Sequence, residues 1–91
     1  MVRQAYYGAW RTILITAHQI RGARAMLGWE IAALADASGV HRNTITRLES
    51  GQSGNRSTLA ALQRALEAAG VEFITENGGG PGVRLRKGAN L

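Results

Sequence analysis

The chain has 91 residues, a formal net charge of +5 and no cysteine. That length makes one small domain with one modest core, and the missing thiols exclude a disulfide framework and thiolate metal centres. Only two histidines are present, His18 and His41, too far apart in sequence for a ligand cluster, and no apolar run is long enough to span a membrane. No metal and no cofactor are expected, and the basic excess favours nucleic acid as a partner over an anionic membrane.

Residues 1–15 form an N-terminal extension carrying Arg3, Tyr6, Tyr7, Trp10 and Arg11, then the apolar run Ile13-Leu14-Ile15. Arg11 interrupts the apolar part and no small-residue cleavage pattern follows, so a signal peptide is not read here and the cytoplasm is the expected compartment. The segment is too apolar for an ordinary disordered tail. It is expected to pack on the body or in a dimer interface, unless translation starts later and leaves it unimportant.

The first helix is predicted to start at Thr16, because Thr16-x-x-Gln19 is a capping-box pattern. Ile20, Ala23 and Leu27 form its apolar face, Arg21 and Arg24 point outward, and Gly28 ends it. A second helix begins near Trp29-Glu30 and buries Ile31 or Trp29, Leu34 and Ala35. After a tight turn at Gly39 a third runs from about His41 to Ser50, with Ile45 and Leu48 inward. Residues 51–54 form a loop. Asn55 or Ser57 caps a fourth helix, whose Leu59, Leu62, Ala65 and Leu66 repeat at helical spacing up to Gly70.

Val71-Glu72-Phe73-Ile74 and Val83-Arg84-Leu85-Arg86 then read as two short strands around a Gly-rich, mobile loop. An isolated hairpin is marginal in water. It must pack on the helices, or its edge must pair with another chain. The expected organisation is therefore an extension over 1–15, a helical domain over 16–70, and a hairpin and tail over 71–91. Candidate dimerisation residues are Tyr6, Tyr7 and Trp10 in the extension and Val71, Phe73, Ile74, Val83 and Leu85 in the hairpin.

The stretch from Leu34 to Gly51 has the spacing of a helix-turn-helix. Leu34-Ala35, Gly39-Val40 and Ile45-x-x-Leu48-Glu49 are packing positions, and Arg42, Asn43, Thr46 and Arg47 face away from them. With Ile20-Arg21-x-x-Arg24, Leu27-Gly28-Trp29 and Arg47-Leu48-Glu49-x-Gly51, the run from Gln19 to Leu66 resembles the Cro/repressor-type, or XRE, helix-turn-helix family. The tail resembles that of small bacterial members. The resemblance implies a mainly α, four- to five-helix DNA-binding bundle with a short C-terminal β-hairpin.

It also implies that His41, Arg42, Asn43, Thr46 and Arg47 read base edges. The chemistry fits, since arginine bonds guanine O6 and N7, asparagine bonds adenine N6 and N7, and Thr46 can touch a thymine methyl. Phosphate contacts are expected from Arg24, Thr44, Gln52, Ser53, Asn55, Arg56 and Ser57, with free N–H groups of the fourth helix helping. Glu49 is expected to face back to Arg21 or Arg24 in a fold-holding ion pair, worth little if exposed.

Glu30 and Ile31 stand where the family often has Ser or Thr followed by Gln, so a cap weakens and position 31 has no hydrogen bond to offer a phosphate. Ile31 is expected near the DNA face. His41 replaces a small hydroxyl residue, which leaves the cap of the third helix in doubt. Enzyme readings find no support. Residues 78–82 lack the Lys-Ser/Thr of a phosphate loop, no Ser-His-Asp set is readable, and the six carboxylates are scattered over outward positions. Met26, Leu27 and Trp29 read as core.

The expected function is that of a sequence-specific regulator of transcription, a homodimeric repressor or autoregulator on an inverted-repeat operator in double-stranded DNA. The alternative is a protein-binding helix-turn-helix module, an antiactivator or antitoxin, with secondary DNA binding.

Overall fold

Each helix begins where a side chain serves the unpaired N–H groups of its first turn, with one exception. The computed structural model describes residues 15–88 and contains α1 (Ala17–Leu27), α2 (Ile31–Ser38), α3 (Arg42–Glu49) and α4 (Arg56–Ala68), then β1 (Val71–Ile74) and β2 (Gly82–Leu85). At α1 the capping box forms as expected. Thr16 Oγ1 accepts from the Gln19 N–H at 3.1 Å and Gln19 Oε1 accepts from the Thr16 N–H at 2.9 Å. At α4 the cap is Asn55, not Ser57, with Oδ1 accepting from the Thr58 N–H at 2.8 Å. At α3 the imidazole of His41 replaces the usual hydroxyl, Nδ1 accepting from the Asn43 N–H at 3.0 Å. Glu30 precedes α2 and makes no side-chain cap, the exception.

The expected count of four to five helices resolves to four among the described residues. His41 and Ser50 flank α3 as caps rather than lying inside it, α2 starts at Ile31, and the second strand runs one residue earlier than its apolar pattern suggests. The expected contacts of Tyr6, Tyr7 and Trp10 lie outside the described residues.

Leu34, Ile45, Leu62 and Leu66 are wholly enclosed, and Ile15, Ile20, Ala23, Leu48, Val71 and Phe73 complete the core. One expectation fails at its edge, since Met26 is 40 % exposed. Ile31 is half-buried and packs against the core, as Trp29 and Leu27 do, in line with the expected burial of Ile31 or Trp29 by α2.

The hairpin packs on the helices, the first of the two possibilities its marginal stability left open. Val71 pairs with Leu85 and Phe73 with Val83 in an antiparallel ladder. Val83 lies against Gly22 of α1, and Val71 and Phe73 join the core. On the outer face Arg84 and Glu72 form an exposed ion pair at 3.0 Å, which holds the Glu72 carboxyl below its usual range. The Gly-rich loop has internal order, with Glu76 Oε2 accepting from the N–H groups of Gly78 and Gly80.

Gln19 ties the two layers together. While its Oε1 closes the capping box, its Nε2 donates to the carbonyls of Gly82 at 2.9 Å and Ile74 at 3.3 Å. Gln19→Ala leaves the Thr16 N–H and two hairpin carbonyls without this partner. The Thr16 cap itself remains, but each unpaired, partly buried group costs about 1 kcal/mol or more, so the variant should be less stable by about 1–3 kcal/mol in urea unfolding. An unchanged midpoint would mean that apolar contact alone seats the hairpin.

Candidate nucleic-acid interface

The α2–turn–α3 unit owes its angle to two residues. Gly39 takes the left-handed conformation, φ 80°, that ends α2, and its N–H bonds to the Ala35 carbonyl. Ser38 Oγ donates to the Leu34 carbonyl at 2.7 Å and accepts from the Val40 N–H at 3.1 Å. A side chain at 39 would be strained.

From that turn α3 is projected with two unlike faces. Ile45, Leu48 and Glu49 are buried, whereas Arg42, Asn43, Thr46 and Arg47 are all exposed, stacked one turn apart. His41 is exposed too, but its Nδ1 is engaged as the helix cap, so only the Nε2 side of the ring is available to a partner. Thr44 is half-buried.

The electrostatics follow from one carboxylate. Between Asp36 and Glu67 the only acidic residue is Glu49, and it is turned inward. Arg24 grips it with two hydrogen bonds, Nε to Oε2 and Nη2 to Oε1, both 2.8 Å, and donates Nη1 to the Trp29 carbonyl at 3.0 Å. The side chains are 7 % exposed for Glu49 and 22 % for Arg24. The hydrogen bonds to Glu49, more than charge attraction, hold the Arg24 guanidinium above its usual pKa despite its burial.

Arg24 is thus the partner of Glu49, and three of its donor atoms serve the fold. It leaves the phosphate-contact set and is not outward-pointing. The expectation that the carboxylates all face outward fails at Glu49. Arg21 donates instead to the Glu49 main-chain carbonyl at the C-terminus of α3, where a cation is favoured.

With Glu49 neutralised, Arg42, Arg47 and Arg56 have no ion-pair partner among the described residues. Gln52 and Ser53 are exposed in the α3–α4 loop, and Arg56 is exposed at the first position of α4. Asn55 and Ser57 are also exposed but bonded to each other, Ser57 Oγ donating to Asn55 Oδ1 at 3.0 Å. The loop is drawn tight onto α3. A Cβ on Gly54 would lie 2.5 Å from Leu48 Cδ2, so a side chain there would require Leu48 to shift.

Of the hairpin residues read as dimerisation candidates, Val71 and Phe73 are buried in the chain's own core, and Val83 and Ile74 are half-buried. Leu85 is 39 % exposed. The sequence reading missed the second role of Gln19. Its capping pattern was legible, but nothing in it marked contacts to residues 55 and 63 positions away.

Among the described residues no three His, Asp or Glu side chains come together to hold a metal ion, and no helix is long and apolar enough to cross a membrane. A search of curated proteins and a search of solved structures each found no match. A family model described as a helix-turn-helix domain matches residues 16–73, which takes in all four helices and most of β1. The capped turn at Gly39, the two-faced α3 behind it and this match over well over half the chain agree, and the protein belongs to the helix-turn-helix domain family.

Proposed function

We propose that this protein is a sequence-specific, double-stranded-DNA-binding regulator of transcription that places α3 in the major groove. The observation that carries the reading is the outer face of α3. Arg42, Asn43, Thr46 and Arg47 are exposed there with no opposing carboxylate, because Glu49 is paired inside. Arginine and asparagine are the side chains suited to guanine and adenine edges in that groove. His41 borders the same face. Gln52, Ser53 and Arg56 are the best-placed phosphate contacts, with Thr44, Asn55 and Ser57 secondary because packing or mutual hydrogen bonds engage them. No catalytic role is assigned.

A module of this size touches few base pairs, so the working form is a homodimer on an inverted repeat, with half-sites about 34–36 Å apart. Repression or autoregulation by occupying a promoter is the simplest output, in a bacterial cytoplasm. The hairpin edge, where Leu85 is exposed, supports that edge as the dimer surface. The exposure of two large apolar side chains, Met26 and Leu85, also favours one second reading, a protein-binding module with secondary DNA binding.

Selection of bound duplexes from a random pool, at two salt concentrations, tests the proposal. The expected product is an inverted repeat whose spacing gives the dimer geometry. The slope of log affinity against log salt should then be about −0.9 per phosphate contact. Retention without a consensus, vanishing at the higher salt, would leave only non-specific attraction and favour the protein-partner reading.

A further inference from the structure

The cap that starts α3 also decides the chemistry of the ring that makes it. His41 Nδ1 lies 3.0 Å from the main-chain nitrogen of Asn43. A main-chain N–H donates and never accepts, so Nδ1 is unprotonated and the ring proton of the neutral imidazole sits on Nε2. A free imidazole exchanges between two tautomers and turns a donor or an acceptor outward. Here the backbone of α3 holds one of them, and the outward nitrogen is a donor. The ring is exposed, stands directly before Arg42 and Asn43, and borders an open groove with Arg42 and with Asp36 of α2. Asp36 forms no ion pair with either side chain among the described residues, so nothing there claims the outward N–H.

We propose that His41 is a donor-only reader, whose Nε2–H bonds an acceptor on a base edge in the major groove. Guanine offers O6 and N7 there, adenine N7 and thymine O4, whereas cytosine offers an amino donor. Cytosine is therefore rejected at the base His41 meets, because two N–H groups would face each other. The base contact rests on the DNA-binding reading of α3. The locked tautomer rests on the fold alone.

Long-range proton–nitrogen NMR on the full chain without DNA reads the tautomer at a pH of about 8, where imidazoles are neutral. The spectrum of His41→Ser tells its signals from those of His18. Nδ1 should be unprotonated and Nε2 protonated, and a protonated Nδ1 or an averaged mixture overturns the lock. His41→Ser keeps a capping oxygen but loses the outward ring N–H. It should melt close to the wild type, with His41→Ala below it. It should bind the duplex selected by the wild type about 2- to 12-fold more weakly, the worth of one hydrogen bond between neutral groups. Selection repeated with His41→Ser should admit cytosine at one position of each half-site from which the wild type excludes it, with the other positions unchanged. Equal binding by the two proteins overturns the reader. A loss that is the same on every duplex puts the donor on a phosphate and overturns the base contact. A chain with the locked tautomer that selects no duplex refutes the DNA-binding reading, and the base contact falls with it while the lock stands.

Discussion

Replacing Arg24 with alanine should lower the melting temperature by about 10 °C or more. The substitution leaves the Glu49 carboxylate, 7 % exposed, without either of its 2.8 Å hydrogen bonds. Removing one partner of a buried pair costs about 3–5 kcal/mol, because the remaining charge has given up its solvation and has no partner in return. The lower end applies here, since Arg24 keeps some contact with water. For a domain of this size each kcal/mol is worth about 4–8 °C, a large share of a typical total stability. Arg24→Lys keeps the charge but not the two-pronged geometry and should fall between. Arg24→Met combined with Glu49→Leu removes both charges and should recover much of the stability. If Arg24→Ala melts with the wild type, the pair is decoration and α3 is held by Ile45 and Leu48 alone.

Arg42→Ala and Arg47→Ala should each weaken binding to the selected duplex by about 5- to 150-fold, the effect of about 1–3 kcal/mol for a base contact. Neither should change the melting temperature appreciably, because both side chains are exposed and have no ion-pair partner among the described residues. The weakening should be confined to the specific site, with affinity for unrelated duplexes falling far less. Arg56→Ala sets the contrast. Removing a phosphate-binding side chain there weakens binding to all sequences alike and reduces the salt slope by about 1. Two arginine variants that bind the selected site as well as the wild type would remove α3 from the interface, and Met26 and Leu85 would become the surface to probe.

The two experiments separate functions that meet within one eight-residue helix. Glu49 and Arg42 lie two turns apart on α3, one locking the helix to α1 and the other facing solvent. The lock also sets the charge of the outer face, since a carboxylate left unpaired at the surface would oppose the same phosphates that the arginines attract. The basic character of that face is thus partly a product of the core.

Much of this was legible in the chain because it depends on near neighbours. The apolar spacing of Ile20 and Ala23, or of Leu59, Leu62 and Leu66, fixes which face of a helix is inward whatever it meets. Thr16 with Gln19 marks a helix start, Gly39 marks the turn, and together these suffice for the helix-turn-helix and for the outward set on α3. What the tertiary structure decided were partners far apart in sequence. The family resemblance left Arg21 and Arg24 on α1 as equal candidates for Glu49. Only the docking angle of α3 on α1 gave Arg24 the carboxylate and Arg21 the carbonyl, across 25 and 28 residues. The packing of the other elements likewise left Met26 in solvent and set Gln19 under the hairpin. Local pattern encodes the face a side chain takes, because a helix repeats every few residues, whereas the group it meets there is set by how separate helices and strands pack.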